Sequence, residues 1–120
     1  MTQTTTTRLQ DLAASLQQFA EERDWEKFHT PKNLAMALAV EVAELMEHFQ
    51  WLEGNESADL DERKMGQVRE EIGDVLIYLV RLADRLGIDP LQAAQDKIEI
   101  NRRKYPVHKV RGRSKKYSEY

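Results

Sequence analysis

The chain has no cysteine, which removes disulfides, thiolate nucleophiles and sulfur-ligated structural zinc from consideration. It has no apolar run near the ~20 residues that span a bilayer, and no apolar segment follows the threonine-rich start as it would in a signal peptide. No membrane partner and a cytoplasmic location are therefore expected. Basic residues are not in excess either: 18 Lys and Arg stand against 21 Asp and Glu, for a net charge of −3. Nucleic-acid-binding domains are more often basic overall, so no nucleic-acid partner is expected. A glycine-rich phosphate loop, a Ser-His-Asp set, an HExxH motif, strand-like alternation and internal repeats are missing too. What remains is 120 residues, 41% hydrophobic and 32% charged, the composition of one all-α domain with a modest core.

In chain order, residues 1–7 form a polar tail, residues 8–105 a helical domain, and residues 106–120 a basic tail. Leu9, Leu12, Leu16 and Phe19 recur at helical spacing and set the first helix. The period breaks over residues 24–31, where Thr30 and Pro31 read as N-cap and first residue of the next helix. Trp25, Phe28 and His29 lie on this connection, either as a packing plug or as part of a base-binding wall; the sequence supports both. The second helix runs from Pro31 to about Glu53, with Gly54-Asn55 as its stop, and residues 54–62 read as a polar surface loop. The third ends near Gly87, and Asp89-Pro90 opens the fourth. The basic tail, with Lys109, Arg111, Arg113, Lys115 and Lys116, reads either as a solubilising end or as a clamp on a polyanion.

Leu34, Leu38, Val42, Leu45, Phe49 and Leu52 make one stripe of the second helix. Val68, Ile72, Val75, Leu79, Leu82 and Leu86 make one stripe of the third, and both stripes read as core-facing. Both helices also carry apolar residues away from these stripes, more than a chain this short can cover, so a homo-oligomer is expected. Beside the stripes stand Glu41 and Glu44 on one helix and Glu71 and Asp74 on the other, each pair at i and i+3 and so pointing the same way. Packed together, these helices would place four carboxylates around one point. An all-oxygen set suits a hard cation, Mg²⁺ or Mn²⁺, over zinc or copper. A di-iron site would need Glu-x-x-His, and the residue three before His48 is Leu45. A cation held this way is usually completed by substrate phosphates, with Lys97 and Lys104 placed to meet the outer ones, which points to phosphoanhydride hydrolysis.

At this point the sequence resembles a known family. Glu41-x-x-Glu44, Glu71-x-x-Asp74 and the run Lys97-x-x-x-Asn101-Arg102-Arg103-Lys104-Tyr105-Pro106 are similar to the MazG-like all-α nucleoside triphosphate pyrophosphohydrolases. Residues 22–29, Phe49-Gln50-Trp51, residues 74–79 and residues 100–103 resemble the dCTP pyrophosphatase branch. The resemblance implies a four-helix MazG-like fold and Mg²⁺-dependent cleavage of a deoxynucleoside triphosphate, dCTP or a modified form, to monophosphate and pyrophosphate. It implies Glu41, Glu44, Glu71 and Asp74 as metal-ligating catalytic residues, and Trp25, His29, Trp51, Tyr78 and Asn101 around base and sugar. Lys97 and Lys104 would meet phosphates, and the assembly would be a homotetramer built as a dimer of dimers. The alternatives are a sibling enzyme for dUTP or a damaged purine nucleotide, and a non-catalytic helical interaction module. One departure stands out: Val40 precedes Glu41 where many MazG members carry a second acid.

Overall fold

The computed structural model describes residues 8–114 and 116–119. The polar tail read at residues 1–7 lies outside the described residues, as do Lys115 and Tyr120 of the basic tail. The described residues are helical and turn, with no strand among them, as the periodicity predicts. Six α-helices follow in order: α1 (Leu9–Glu22), α2 (Pro31–Glu47), α3 (Gly54–Ser57), α4 (Glu62–Arg85), α5 (Pro90–Lys104) and α6 (Val107–Val110). Short 3₁₀ turns occupy Glu26–Phe28 and Tyr117–Glu119. The four long helices are those read from the sequence, and α3 and α6 are single turns within the predicted loop and tail. The chain divides into two compact units between Gly87 and Ile88.

In the first unit α4 is the spine, with α2 and α1 packed against it. The helix starts follow their capping residues. Thr30 Oγ1 accepts from the Asn33 amide at 3.2 Å ahead of Pro31, and Asp61 Oδ1 accepts from the Lys64 amide at 2.7 Å. In the second unit Asp89 Oδ1 accepts from the amides of Leu91 and Gln92 ahead of Pro90. Each removes an orphan donor from a first turn. The end of α1 is a Schellman turn: the Trp25 amide reaches back to the Ala20 carbonyl at 2.9 Å and the Asp24 amide to Glu21 at 3.1 Å. Asp24 supplies the left-handed residue that this turn needs, at φ 54°. Gly87, at φ 68°, has the same position after α4.

Three readings from the sequence need correction. First, α2 stops at Glu47, six residues before the expected end, and the chain turns through residues 48–52 on short-range backbone bonds. Gly54 opens α3 and terminates nothing; the Glu56 side chain accepts from the Glu53 amide at 2.8 Å and fixes that start. Second, residues 54–62 are accordingly not simply a loop. Third, the apolar stripe on α4 is split. Val68 is buried and Val75 and Leu82 are half-buried, but Ile72 is 53% exposed and Leu79 and Leu86 are exposed too. One covered face of α4 runs instead through Lys64, Gln67, Val68, Glu71, Asp74, Val75, Tyr78, Arg81 and Leu82, at a 3-4 spacing, and towards the helix's end Val80 and Ala83 are buried as well. On α2, Leu34 is buried while Met36, Val40, Val42 and Met46 are exposed. The chain's own packing thus uses the seam that carries the acids, and leaves much of the apolar surface uncovered.

Candidate divalent-cation and nucleotide site

The middle of the α2–α4 seam holds the acids. Glu41 and Glu44 lie one turn apart on α2, Glu71 faces them from α4, and the three offer carboxylate oxygens within 4.8 Å of one another. Glu41 Oε2 and Glu71 Oε2 are buried and have no hydrogen-bond partner. A buried acceptor left unpaired costs about 1–3 kcal/mol, and more when charged, so this arrangement is that of a set waiting for a counter-charge. Burial pushes the Glu41 carboxyl up to about 7, helped by hydrogen bonding to Glu71 and Glu44 and by the charges of Glu44 and Asp74. Asp74 stands one turn after Glu71 on the same face, close enough for its charge to act on Glu41, although it is not part of the three-residue cluster. The donor set is oxygen throughout, two of its atoms are orphaned, and the cluster repels itself when empty. These residues fit a hard divalent cation.

One end of the seam is aromatic and cationic. Trp25 packs edge-on against Phe19, with centroids 5.7 Å apart, and against His29 at 6.3 Å. Arg81, only 2% exposed, donates from Nε to His29 Nδ1 at 3.2 Å and from Nη1 to Gln17 Oε1. Its Nη2 is buried without a partner. Arg85 Nε donates to the His29 carbonyl at 3.2 Å. Burial and the charges of Arg81 and Arg85 hold the His29 imidazole below the ordinary histidine range. At the opposite end, Lys64 Nζ lies 3.3 Å from His48 Nδ1. An open cavity of about 410 Å³ there is lined by Leu52, Glu56, Asp61 and their neighbours, and none of the candidate metal- or substrate-binding residues read from the sequence lines it.

Of the residues read from the sequence, the structure gathers Glu41, Glu44 and Glu71, with Asp74 beside them. It groups Trp25 with His29 in a packed corner where Trp25 remains 43% exposed. Tyr78 is half-buried on α4, one turn beyond Asp74. Trp51 stands in the turn after α2 and is 87% exposed. Lys97, Asn101 and Lys104 lie on α5 in the second unit, Asn101 half-buried and the two lysines exposed. Sequence reasoning passed over Arg81 and Gln17. The available signal was an arginine in register with Glu71, Asp74 and Tyr78, on the face that α2 covers.

An antiparallel helix pair with a carboxylate cluster in its seam defines the class: an all-α protein with a candidate divalent-cation centre. A MazG-like family model matches residues 36–120, and the chain belongs to the MazG-like family. It is 47% identical over 113 residues to dCTP pyrophosphatase 1 from Homo sapiens and 46% identical to dCTP pyrophosphatase 1 from Bos taurus, each match covering 92% of this chain. The chain spans 66% of the length of the human relative and 67% of the bovine one. Its fold is similar to the crystal structure of a pyrophosphatase from Archaeoglobus fulgidus, with a TM-score of 0.78 and 45% identity over 88% of this chain and 99% of that one. No helix among the described residues is long and apolar enough to cross a membrane.

Proposed function

We propose that this protein hydrolyses a deoxynucleoside triphosphate, dCTP or a modified dCTP, to the monophosphate and pyrophosphate, with Mg²⁺ (or Mn²⁺) as cofactor. The observation that carries the reading is the self-repelling set of Glu41, Glu44 and Glu71, two of its oxygens buried without partners, in a chain whose relatives are named dCTP pyrophosphatase. Those three glutamates and Asp74 are the residues that would hold the cation. When bound, it would supply charge neutralisation for the phosphates and acidify a water.

The chain's own groups do the rest. A cluster carboxylate oxygen left free by the cation orients the attacking water and takes its proton. The bond that breaks is the anhydride between the α- and β-phosphates. Trp25 and His29 offer flat faces and a polar edge for the base, with Trp51 and Tyr78 as further aromatic surfaces. Asn101 has a donor and an acceptor for base or sugar, and Lys97 and Lys104 carry charge for phosphates. Val42 on α2 and Ile72, Leu76 and Leu79 on α4 are exposed apolar side chains, and covering them with further copies of the chain would remove that surface from water, which supports a homotetramer, in keeping with a cytoplasmic housekeeping role in nucleotide-pool sanitation.

Pyrophosphate release from a panel of dNTPs with Mg²⁺ tests the proposal, with Glu41→Gln as control. Highest kcat/KM on dCTP or 5-substituted dCTP is the expected result. A different leading nucleotide would replace the substrate, and wild-type turnover no faster than the control would remove the enzyme.

A further inference from the structure

The Arg81 guanidinium is buried, and a guanidinium Nε–H donates and never accepts. Because it faces His29 Nδ1 at 3.2 Å, that ring nitrogen must carry a lone pair, and the proton of the neutral imidazole must sit on Nε2. Arg81 is itself aimed by its surroundings. Nη1 donates to Gln17 Oε1, Gln17 Nε2 donates to Glu26 Oε1 and Glu21 Oε1, and Asp84 lies 3.8 Å from Nη1. The carbonyl of His29 is held separately by Arg85. Ring and backbone are thus fixed from α4, while the edge contact with Trp25 fixes the third side. Arg81 follows Asp74 by two turns on the same face, about 10 Å along the axis at 1.5 Å per residue. That is the order of distance separating a nucleotide's inner phosphate from its base.

We infer that Arg81 is a positioning residue that holds His29 as its Nε2–H tautomer, so that the Trp25–His29 wall presents one fixed donor to a carbonyl oxygen of a pyrimidine base. The inference rests on the nucleotide-hydrolase reading for its substrate, and on geometry alone for its tautomer. Protonating His29 would set two donors against each other across the Arg81 contact. The groups facing the imidazole and its partner explain why that does not happen: Arg81 and Arg85 from α4 oppose a second positive charge. Asp84, Glu21 and Glu26 are turned toward the guanidinium side.

Two measurements separate the tautomer from the substrate. Histidine ¹⁵N spectra of the wild-type protein should show His29 with Nδ1 unprotonated and Nε2 protonated at pH 7. A protonated Nδ1 overturns the inference whether or not any nucleotide is turned over. In steady-state kinetics, Arg81→Lys, which cannot donate from the Nε position, should raise KM for the preferred pyrimidine nucleotide about tenfold, a size set by one lost hydrogen bond, with a smaller change in kcat. His29→Phe should do the same, and His29→Gln, which restores a terminal N–H, should recover part of the loss. The double variant His29→Phe with Arg81→Lys should be no worse than His29→Phe alone, since one residue acts through the other. Additive losses, or equal losses on purine and pyrimidine substrates, would show a merely structural arginine and overturn the role. If Arg81→Lys fails to fold, the His29→Phe and His29→Gln pair still decides the donor. A wild-type protein that hydrolyses no nucleotide sinks the functional reading and the substrate half of this inference, leaving the tautomer to the spectra.

Discussion

Replacing Glu41 by Gln should make the metal-free protein more stable at pH 8, not less. The Glu41 carboxyl is raised from the ordinary 4.5 to about 7, so the folded state binds its proton more tightly than the unfolded state does. That contribution is fully present below pH 4.5 and is lost as pH rises through 7. At about 1.4 kcal/mol per pKa unit the shift corresponds to at most ~3.5 kcal/mol. The partial solvent access of the neighbouring acids reduces it to about 1–2 kcal/mol. Gln has the same shape without the charge. In EDTA at pH 8 and equal protein concentration, Glu41→Gln should therefore melt about 3–10 °C above wild type, and the gap should narrow sharply by pH 5 and close below pH 4.5, where the carboxyl is protonated in both states. With Mg²⁺ the order should reverse, because wild type gains stability from a ligand bound only by the folded form and the variant has lost a donor. Thermal unfolding followed by circular dichroism at two pH values, with EDTA or Mg²⁺, reads all four cases. A variant less stable than wild type in EDTA at pH 8, or a gap independent of pH, would refute the idea that this seam stores carboxylate repulsion.

Asp74→Asn should lower kcat/KM by at least ~100-fold, as loss of a ligand or its electrostatic support does in metal sites, while leaving the metal-free melting temperature unchanged or slightly raised; a fall in that temperature would contradict it. Mg²⁺ binding at pH 7 should release about half a proton per site, the fraction Glu41 holds at its midpoint, and affinity should fall as pH drops below 7. Calorimetry in buffers of different ionisation enthalpy measures both, and zero proton release would count against the cluster as the binding site. Ile72→Glu, at an exposed apolar position of α4, should shift the species seen by gel filtration at low concentration toward monomer. An unchanged elution volume would place any interface elsewhere.

The helix starts were legible because Thr30-Pro31 and Asp89-Pro90 announce themselves locally, and the paired acids because i and i+3 spacing fixes a shared face. The core was legible only in part. Both sides of α4 carry apolar residues, and periodicity alone does not say which side meets α2 and which is left for another molecule. Ile72, Leu79 and Leu86 looked like core by pattern. The face that α2 covers is the one with Glu71, Asp74, Tyr78 and Arg81, which reads as polar. The end of α2 was misjudged because Gly54 resembles a stop signal, whereas the reciprocal pairing of Glu53 and Glu56 makes it a start. Arg81 stayed invisible for a related reason: a charged side chain in a helical run is taken as solvated unless its partners, Gln17 and His29, are known to lie across the seam.

The Schellman turn at the end of α1 has a practical consequence. The segment from Asp24 to His29 is pinned through main-chain atoms at Trp25 and at the His29 carbonyl, so its course does not depend on which rings it displays. If the proposed base-binding role of this corner holds, exchanging the side chains at positions 25 and 29 should retune the selected base while the main chain keeps its course.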